Sequence, residues 1–348
     1  KMSRVGIVTL PLHFNYGGIL QAFALQQALK SLGYDAVVIG WPMNTIKERI
    51  KYVLYKFSGV YQFVNNNIHI LRLNSPFLDE DIKRNCLRTF IVGSDQVWRP
   101  CMGANRNDNV TRYFLTTDEK CCIRKIAYAA SFGIDSWGFT NEETIKARKL
   151  VEKFKAVSVR ENSGIELCKK YLGINNVSLV LDPTMLLQKG FYEDFIKSSP
   201  FKTKKRHCFV YLLDYKNREN KAIIECIVPD EAEILTAKVE RSTIKKYLNC
   251  NNTVEEWLSS IYNSDIVVTD SFHGCVFSIL FHKEFYVMGN AIGGNTRIAS
   301  LLATFRLQDR FVCTNSTFKG SKIDWDTVDG IIEEMRNHSY SFLKTNLA

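Results

Sequence analysis

A chain of 348 residues exceeds one average domain and has room for two, each able to bury its own core. Hydrophobic residues make up 46%, aromatic residues 12% and charged residues 24%, ordinary globular usage that excludes a disordered or low-complexity chain. The formal net charge of +10 favours anionic partners: phosphorylated metabolites, acidic glycans, nucleic acid or an anionic membrane.

The chain opens with a strand over Val5–Leu10, a loop from Pro11 to Gly18 and a helix over Ile19–Leu32, closed by Gly33. A strand over Ala36–Ile39 follows, which makes a parallel β-loop-α-β unit. Thr45–Lys56 reads as a basic amphipathic helix carrying Lys47, Arg49, Lys51 and Lys56. Four further strands end in small or polar residues. Thr89–Val92 leads into Gly93-Ser94-Asp95-Gln96, and Lys125–Ala130 into Ser131-Phe132-Gly133. Ala156–Val159, after a helix over Glu142–Phe154, leads into Arg160-Glu161, and Val177–Leu181 into Asp182-Pro183-Thr184. Several strand C-termini therefore line one cleft.

The basic stretch Lys202–Arg206 sets the predicted domain boundary after residue 200. A second series follows: strand Cys208–Leu213, helix Arg218–Ile227, strand Glu233–Thr236, and a helix that Thr253 and Glu256 start as a capping box. The run Ile266–Thr269 is β-branched and stops at Asp270-Ser271-Phe272-His273-Gly274, ahead of a helical run over Val276–Phe281. After strand Phe285–Met288 come a glycine-rich loop, Gly289–Arg297, and a helix, Ile298–Phe305. Thr327–Leu347 reads as one or two terminal helices. The predicted architecture is α/β, with two Rossmann-like domains of parallel sheet facing a central cleft. They span residues 1–200 and 201–326, with a helical tail over 327–348.

In open α/β sheets, ligands bind at the C-terminal ends of strands, and a helix start offers free N–H groups and partial positive charge to an anion. His273 lies at such a junction, where an imidazole can move protons near neutral pH; otherwise it is a loop histidine bonded to backbone. Arg160 in the cleft suits a carboxylate or phosphate, and otherwise is a surface ion-pair residue. Asp95 is a candidate for acid–base or orienting work, or a helix cap. Arg297 follows a potential anion loop, or is an ordinary first-turn arginine. Gly17-Gly18 either opens the first helix to substrate or makes a turn requiring positive φ.

No Gly-x-Gly-x-x-Gly, Gly-Lys-Ser/Thr or Gly-x-Ser-x-Gly occurs, and neither the six histidines nor the ten cysteines show metal-ligand spacing. The cysteines mostly sit in apolar runs, which suits a reducing cytosol. The opening apolar run is too short for a signal-peptide core, and none approaches the roughly 18 residues of a membrane span. The expectation is a cytoplasmic protein, with peripheral contact at the inner membrane face through the basic helix. No basic–aromatic motif points to nucleic acid.

Taken in order, several segments resemble the polysaccharide pyruvyl transferase family. They are Asn15-Tyr16-Gly17-Gly18 with Leu20-Gln21-Ala22, Gly93–Trp98, Tyr128–Gly133, Val157–Glu161, Leu181–Thr184, Thr269–Gly274, and Gly294–Arg297 with Leu301-Leu302. The resemblance implies a GT-B-like fold. It also implies transfer of an enolpyruvyl-derived group from phosphoenolpyruvate to a sugar of an exopolysaccharide, capsule or lipid-linked precursor, where it bridges two hydroxyls as a ketal. No cofactor or metal is implied. The expected roles are His273 and Asp95 in catalysis, and Arg160, Ser271, Gly274, Asn295 and Arg297 in donor binding. Asn15, Tyr16, Gly17, Gly18 and Gln96 are expected on the acceptor side. Some members carry arginine where Ser271 stands, so donor binding here falls to Arg160, Arg297 or another cation. Two other readings stay open: a nucleotide-sugar glycosyltransferase of the same architecture, and a non-catalytic module for anionic glycans or membrane surfaces.

Overall fold

The computed structural model describes residues 3–13, 15–43, 45–73, 77–100, 106–117, 121–199, 207–214, 224–228, 231–237, 253–289, 294–312 and 320–348. The basic clusters at Lys202–Arg206 and Lys238–Lys246, the predicted domain boundary and most of the predicted helix Arg218–Ile227 lie outside them. The strands are β1 (Arg4–Val8), β2 (Asp35–Gly40), β3 (Ile70–Arg72), β4 (Leu87–Val92), β5 (Arg124–Ala130), β6 (Ala156–Val159) and β7 (Val177–Leu179), then β8 (His207–Tyr211), β9 (Glu233–Thr236), β10 (Ile266–Thr269), β11 (Glu284–Met288) and β12 (Phe311–Val312). The helices are α1 (Tyr16–Ser31), α2 (Ile46–Tyr55), α3 (Tyr61–Asn67), α4 (Asp79–Arg84), α5 (Arg106–Tyr113), α6 (Asn141–Val151), α7 (Asn162–Leu167) and α8 (Lys189–Ser198), then α9 (Val254–Tyr262), α10 (Phe272–Leu280), α11 (Asn295–Thr304) and α12 (Trp325–Leu347).

Every strand pair is parallel. The first sheet runs β3-β2-β1-β4-β5-β6-β7 and the second β12-β11-β10-β8-β9. The order reverses between β1 and β4 in one sheet and between β8 and β10 in the other. At such a switch point the connecting loops diverge to opposite faces and leave a crevice. The two crevices carry the loops before α1 and after β4, and the loops after β8 and before α10.

Two faces of the first sheet pack differently. Val8, Phe90, Val92, Trp98 and Phe114 form a core on one side. On the other, α1 is buried on nearly all sides, 13 of its 16 residues being inaccessible, and its core runs on without a break into α9 and α10. Tyr16 stacks on Trp257 of α9 at 5.3 Å between centroids, and Trp257 meets Phe277 of α10 edge-on at 5.5 Å. The domains are thus joined by a continuous apolar core rather than a wet interface.

The capping box of Thr253 and Glu256 forms as expected. Two helix starts shift, and the tail takes the one-helix form of its two expected readings. α10 begins at Phe272, so His273 lies in the first helical turn rather than in a loop before it. α11 begins at Asn295, which places Arg297 on the helix. The tail is a single helix that returns to the first domain: Ser339 Oγ accepts from Leu181 N at 3.0 Å, and Arg336 Nε donates to Met185 O at 3.0 Å.

Trp257 fills the joint between the domains with no exposed surface. Trp257→Ala should therefore lower unfolding free energy by about 3–5 kcal/mol, measured by urea denaturation, and loosen both domains together rather than the second alone.

Candidate active site

The starts of α1 and α10 face each other where the crevices meet. The His273 imidazole lies directly on the backbone of Gly17: a Cβ on Gly17 would stand 2.0 Å from Nδ1 and 2.2 Å from Cγ. Gly17 is therefore required as the bed for this ring, not for a positive φ. A Cβ on Gly274 would strike Thr269 Oγ1 at 2.3 Å, so that glycine lets α10 pack against the end of β10. Ser271 caps α10, accepting from Gly274 N at 3.4 Å. Asp270 accepts from Leu213 N at 2.6 Å and Asp214 N at 2.9 Å, which ties the two loops of the second crevice together.

Across the cleft, Asn15 takes the N-cap position of α1 without capping it; its amide donates to Asp95 Oδ2 at 3.3 Å instead. Gly18 fits beside this pair, its Cβ position 3.0 Å from the Asn15 amide and 3.2 Å from the Asp95 carboxylate. Gln21, fully buried, donates to Thr9 Oγ1 at 3.0 Å and Gly18 O at 2.8 Å and accepts from Ser94 N at 3.0 Å, locking the first turn of α1 to the loops after β1 and β4.

A buried charge cluster lies under these loops. Arg160, just past β6, donates through Nη1 to Asp182 Oδ2 and to Ser94 Oγ at 3.0 Å. Its Nη2 is 3.6 Å from Asp95 Oδ1 and its Nε 3.8 Å from Glu161 Oε2. Asp182 also accepts from Ser94 Oγ at 3.0 Å, and from the amide and hydroxyl of Thr184 at 3.0 and 2.7 Å. His273 Nε2 stands 3.6 Å from Asp182 Oδ2. Arg160 and Arg297 both approach the ring of Phe272, with Cζ 4.4 and 5.8 Å from its centroid.

Burial alone would raise the Asp182 carboxyl, but His273, Arg160 and Thr184 outweigh it and hold it well below the usual carboxylate range. Burial raises Glu161, against the pull of Arg160 and Arg297. Burial, and then the neighbouring Arg160, push Arg297 down to about 10, so it remains a cation at neutral pH.

Four buried nitrogens here make no hydrogen bond: Arg160 Nε and Nη2, Arg297 Nε and His273 Nε2. Unmet donors on buried cations are expensive unless a ligand meets them. Three carboxylates, Asp95, Glu161 and Asp182, lie against Arg160 in this cluster. Among the described residues no group of three or more His, Cys, Asp and Glu could hold a metal ion.

The structure brings together His273, Arg160, Arg297, Asp95, Asn15, Gly17 and Gly18. Gln96 sits at the margin, its Oε1 accepting from Arg99 Nη1 at 2.7 Å and lying against Gly133. Asn295 is half-buried at the first turn of α11. Ser271, Gly274 and Tyr16 have structural work: Ser271 as a cap, Gly274 in helix packing, and Tyr16 in the aromatic joint with Trp257. Asp182, Glu161, Ser94 and Gln21 complete the cluster but were not singled out from the sequence. For Asp182 a signal was there, a carboxylate directly after an apolar strand. Beside the cluster, a cavity of about 670 Å³ opens at the ends of β1 and β2, lined by the loop before Asn15 and by Trp41, Tyr52, Tyr55 and Tyr61.

The family model described as polysaccharide pyruvyl transferase matches residues 15–291. No curated protein matches the chain. Among solved structures, the UDP-GlcNAc 2-epimerase of Neisseria meningitidis bound to UDP-GlcNAc is similar over 99% of each chain, at 9% identity and a TM-score of 0.53. That of Methanocaldococcus jannaschii is similar over 97% of this chain and 93% of the other, at 13% identity and a TM-score of 0.52. At such identities the likeness is one of fold: two Rossmann-like domains in the GT-B arrangement.

Asp182 sets an electrostatic prediction. Removing one member of a buried ion pair costs about 3–5 kcal/mol, so Asp182→Asn should be destabilised on that scale at pH 7. Because the folded carboxyl lies below its unfolded value, its contribution is complete above about pH 4. It is lost as pH falls further. Urea denaturation of both proteins should show a constant gap at neutral pH that narrows below about pH 4.

Proposed function

The chain belongs to the polysaccharide pyruvyl transferase family, and on that premise we propose that it moves the enolpyruvyl-derived group of phosphoenolpyruvate onto a sugar, closing a pyruvate ketal. The observation that carries this reading is the set of unpartnered nitrogens on Arg160, Arg297 and His273, buried together at the interdomain cleft. Phosphoenolpyruvate presents a carboxylate and a phosphate on adjacent atoms, and planar guanidiniums meet such groups well. The start of α10 adds free N–H groups and partial positive charge.

In the proposed mechanism His273 is the general acid. Asp182, ionised and 3.6 Å from Nε2, stabilises the imidazolium. The proton passes to the methylene carbon of phosphoenolpyruvate, which becomes a methyl group and leaves C2 electrophilic. A sugar hydroxyl attacks C2, the C2–O bond to phosphate breaks, and a second hydroxyl closes the ketal. Of the two hydroxyl protons, one replaces that given up by His273 and one leaves with phosphate. Asp95, held by Asn15, orients the acceptor, with Gln96 at the edge of its path. The cavity lined by Trp41, Tyr52, Tyr55 and Tyr61 is the space this reading gives to the acceptor, a sugar of a polysaccharide or of its lipid-linked precursor. The chemistry needs neither a metal nor a nucleotide.

The first test is a thermal-shift series with phosphoenolpyruvate and UDP-GlcNAc. A ligand specific to the folded state raises the melting point in proportion to ln(1 + [L]/Kd). Phosphoenolpyruvate should stabilise the protein, Arg297→Ala should weaken that response, and UDP-GlcNAc should give none. The reverse pattern would assign a nucleotide-sugar enzyme instead. With an acceptor glycan, His273→Ala should lower phosphate release by roughly 10²–10⁴-fold and keep the phosphoenolpyruvate shift. Wild-type turnover in this variant would remove His273 from the mechanism.

A further inference from the structure

We propose that α2 is an interfacial helix that docks the protein on an anionic phospholipid bilayer. Three of its large apolar residues and one just past its end stand in water: Ile46 is 77% exposed, Ile50 56%, Val53 53% and Phe57 68%. They are four of the nine exposed large hydrophobics among the described residues, so exposure is concentrated here rather than scattered. At 3.6 residues per turn, Ile46, Ile50 and Val53 fall within an arc of about 60°. Tyr55 is buried and lies on the opposite side of the helix. The seam therefore points away from the body of the protein, and packing within the chain does not explain it.

The charges flanking the seam identify the occupant. Arg49 and Lys56 lie along one side and Lys47 along the other, while Lys51 turns toward the inner cavity. The only acid on the helix, Glu48, is engaged in the capping box with Thr45. An apolar seam with Arg49 and Lys56 on one flank and Lys47 on the other matches a lipid surface, where side chains enter the acyl boundary and ammonium or guanidinium groups meet phosphates. A second copy of this chain fits less well, because a two-fold contact through the seam would set the flanking cations against each other. No helix among the described residues is long and apolar enough to cross a membrane, so this contact is peripheral. The inner face of α2 helps line the aromatic cavity, through Tyr52 and Tyr55, so docking would hold that cavity close to the bilayer. The proposal does not depend on the reaction assigned above.

The test is co-sedimentation of the full chain with phosphatidylcholine vesicles, with and without phosphatidylglycerol. Sedimentation velocity without lipid and thermal melts accompany it. Wild type should bind only vesicles containing phosphatidylglycerol. The double variant Ile50→Glu/Val53→Glu should lose binding with an unchanged melt, since both side chains are exposed. Lys47→Glu/Lys56→Glu should bind roughly tenfold or more weakly. Failure of wild type to bind, or binding by either variant at the wild-type level, would overturn the proposal. If Ile50→Glu/Val53→Glu instead splits a dimer and leaves lipid binding unchanged, the seam joins two copies and the membrane assignment is wrong.

Discussion

Everything in the cleft depends on the contact between the His273 ring and the backbone of Gly17. Each Rossmann-like domain places a helix start at its own switch point, and the joint between the domains sets the two starts face to face. Any side chain on Gly17 would occupy the space of the imidazole. With hydrogen there, the ring can lie on one domain while its own helix belongs to the other, and its Nε2 comes within 3.6 Å of Asp182. The aromatic joint of Tyr16 and Trp257 lies immediately behind this contact. Residue 16 holds the domains together, and residue 17 leaves room for the chemistry.

The charges around that contact would be unstable in isolation. A buried guanidinium or carboxylate costs several kcal/mol unless it is paired and hydrogen-bonded. Arg160 meets this by facing three carboxylates at once, and Asp182 by accepting from Ser94, Thr184 and Arg160 together. Yet Arg160 satisfies only one of its three nitrogens with hydrogen bonds, and Arg297 Nε and His273 Nε2 have none. A cluster built for stability alone would not leave donors unmet on its most deeply buried cations. The arrangement is better explained as a site organised around a ligand that supplies several acceptor oxygens, as a compound with both carboxylate and phosphate does.

The parallel α/β architecture was legible because β-branched runs ending in small and polar residues recur through both halves of the chain. His273, Arg160 and Asp95 were legible for the same reason: each follows a strand at the end where ligands bind. Helix starts were harder to place. Phe272 and His273 look like loop because Gly274 follows them, but Gly274 is helical and is there to let α10 approach Thr269. Tyr16 shared a motif with true cleft residues, and only the three-dimensional joint shows that its ring faces Trp257. Asp182 follows a strand as His273, Arg160 and Asp95 do, but its importance comes from pairing with Arg160, 22 residues away, which the strand end alone does not show. The seam on α2 was hidden differently. Its basic residues could be counted, but that its apolar side faces outward depends on where Tyr55 packs.

The distribution of the site between domains has a mechanical consequence. Arg160, Asp182 and Asp95 belong to the first domain, while His273 and Arg297 belong to the second. The Phe272 ring, from the second domain, is approached by both arginines. A ligand bridging Arg160 and Arg297 would therefore bridge the domains, and the 3.6 Å approach of His273 Nε2 to Asp182 exists only while they keep their present spacing. An opening of even 1–2 Å would separate that pair beyond ion-pair distance and give solvent access to cations now buried. The approach of His273 to Asp182 and the burial of the two arginines are thus aspects of one interdomain geometry. The continuous apolar core through Tyr16, Trp257 and Phe277 holds that geometry.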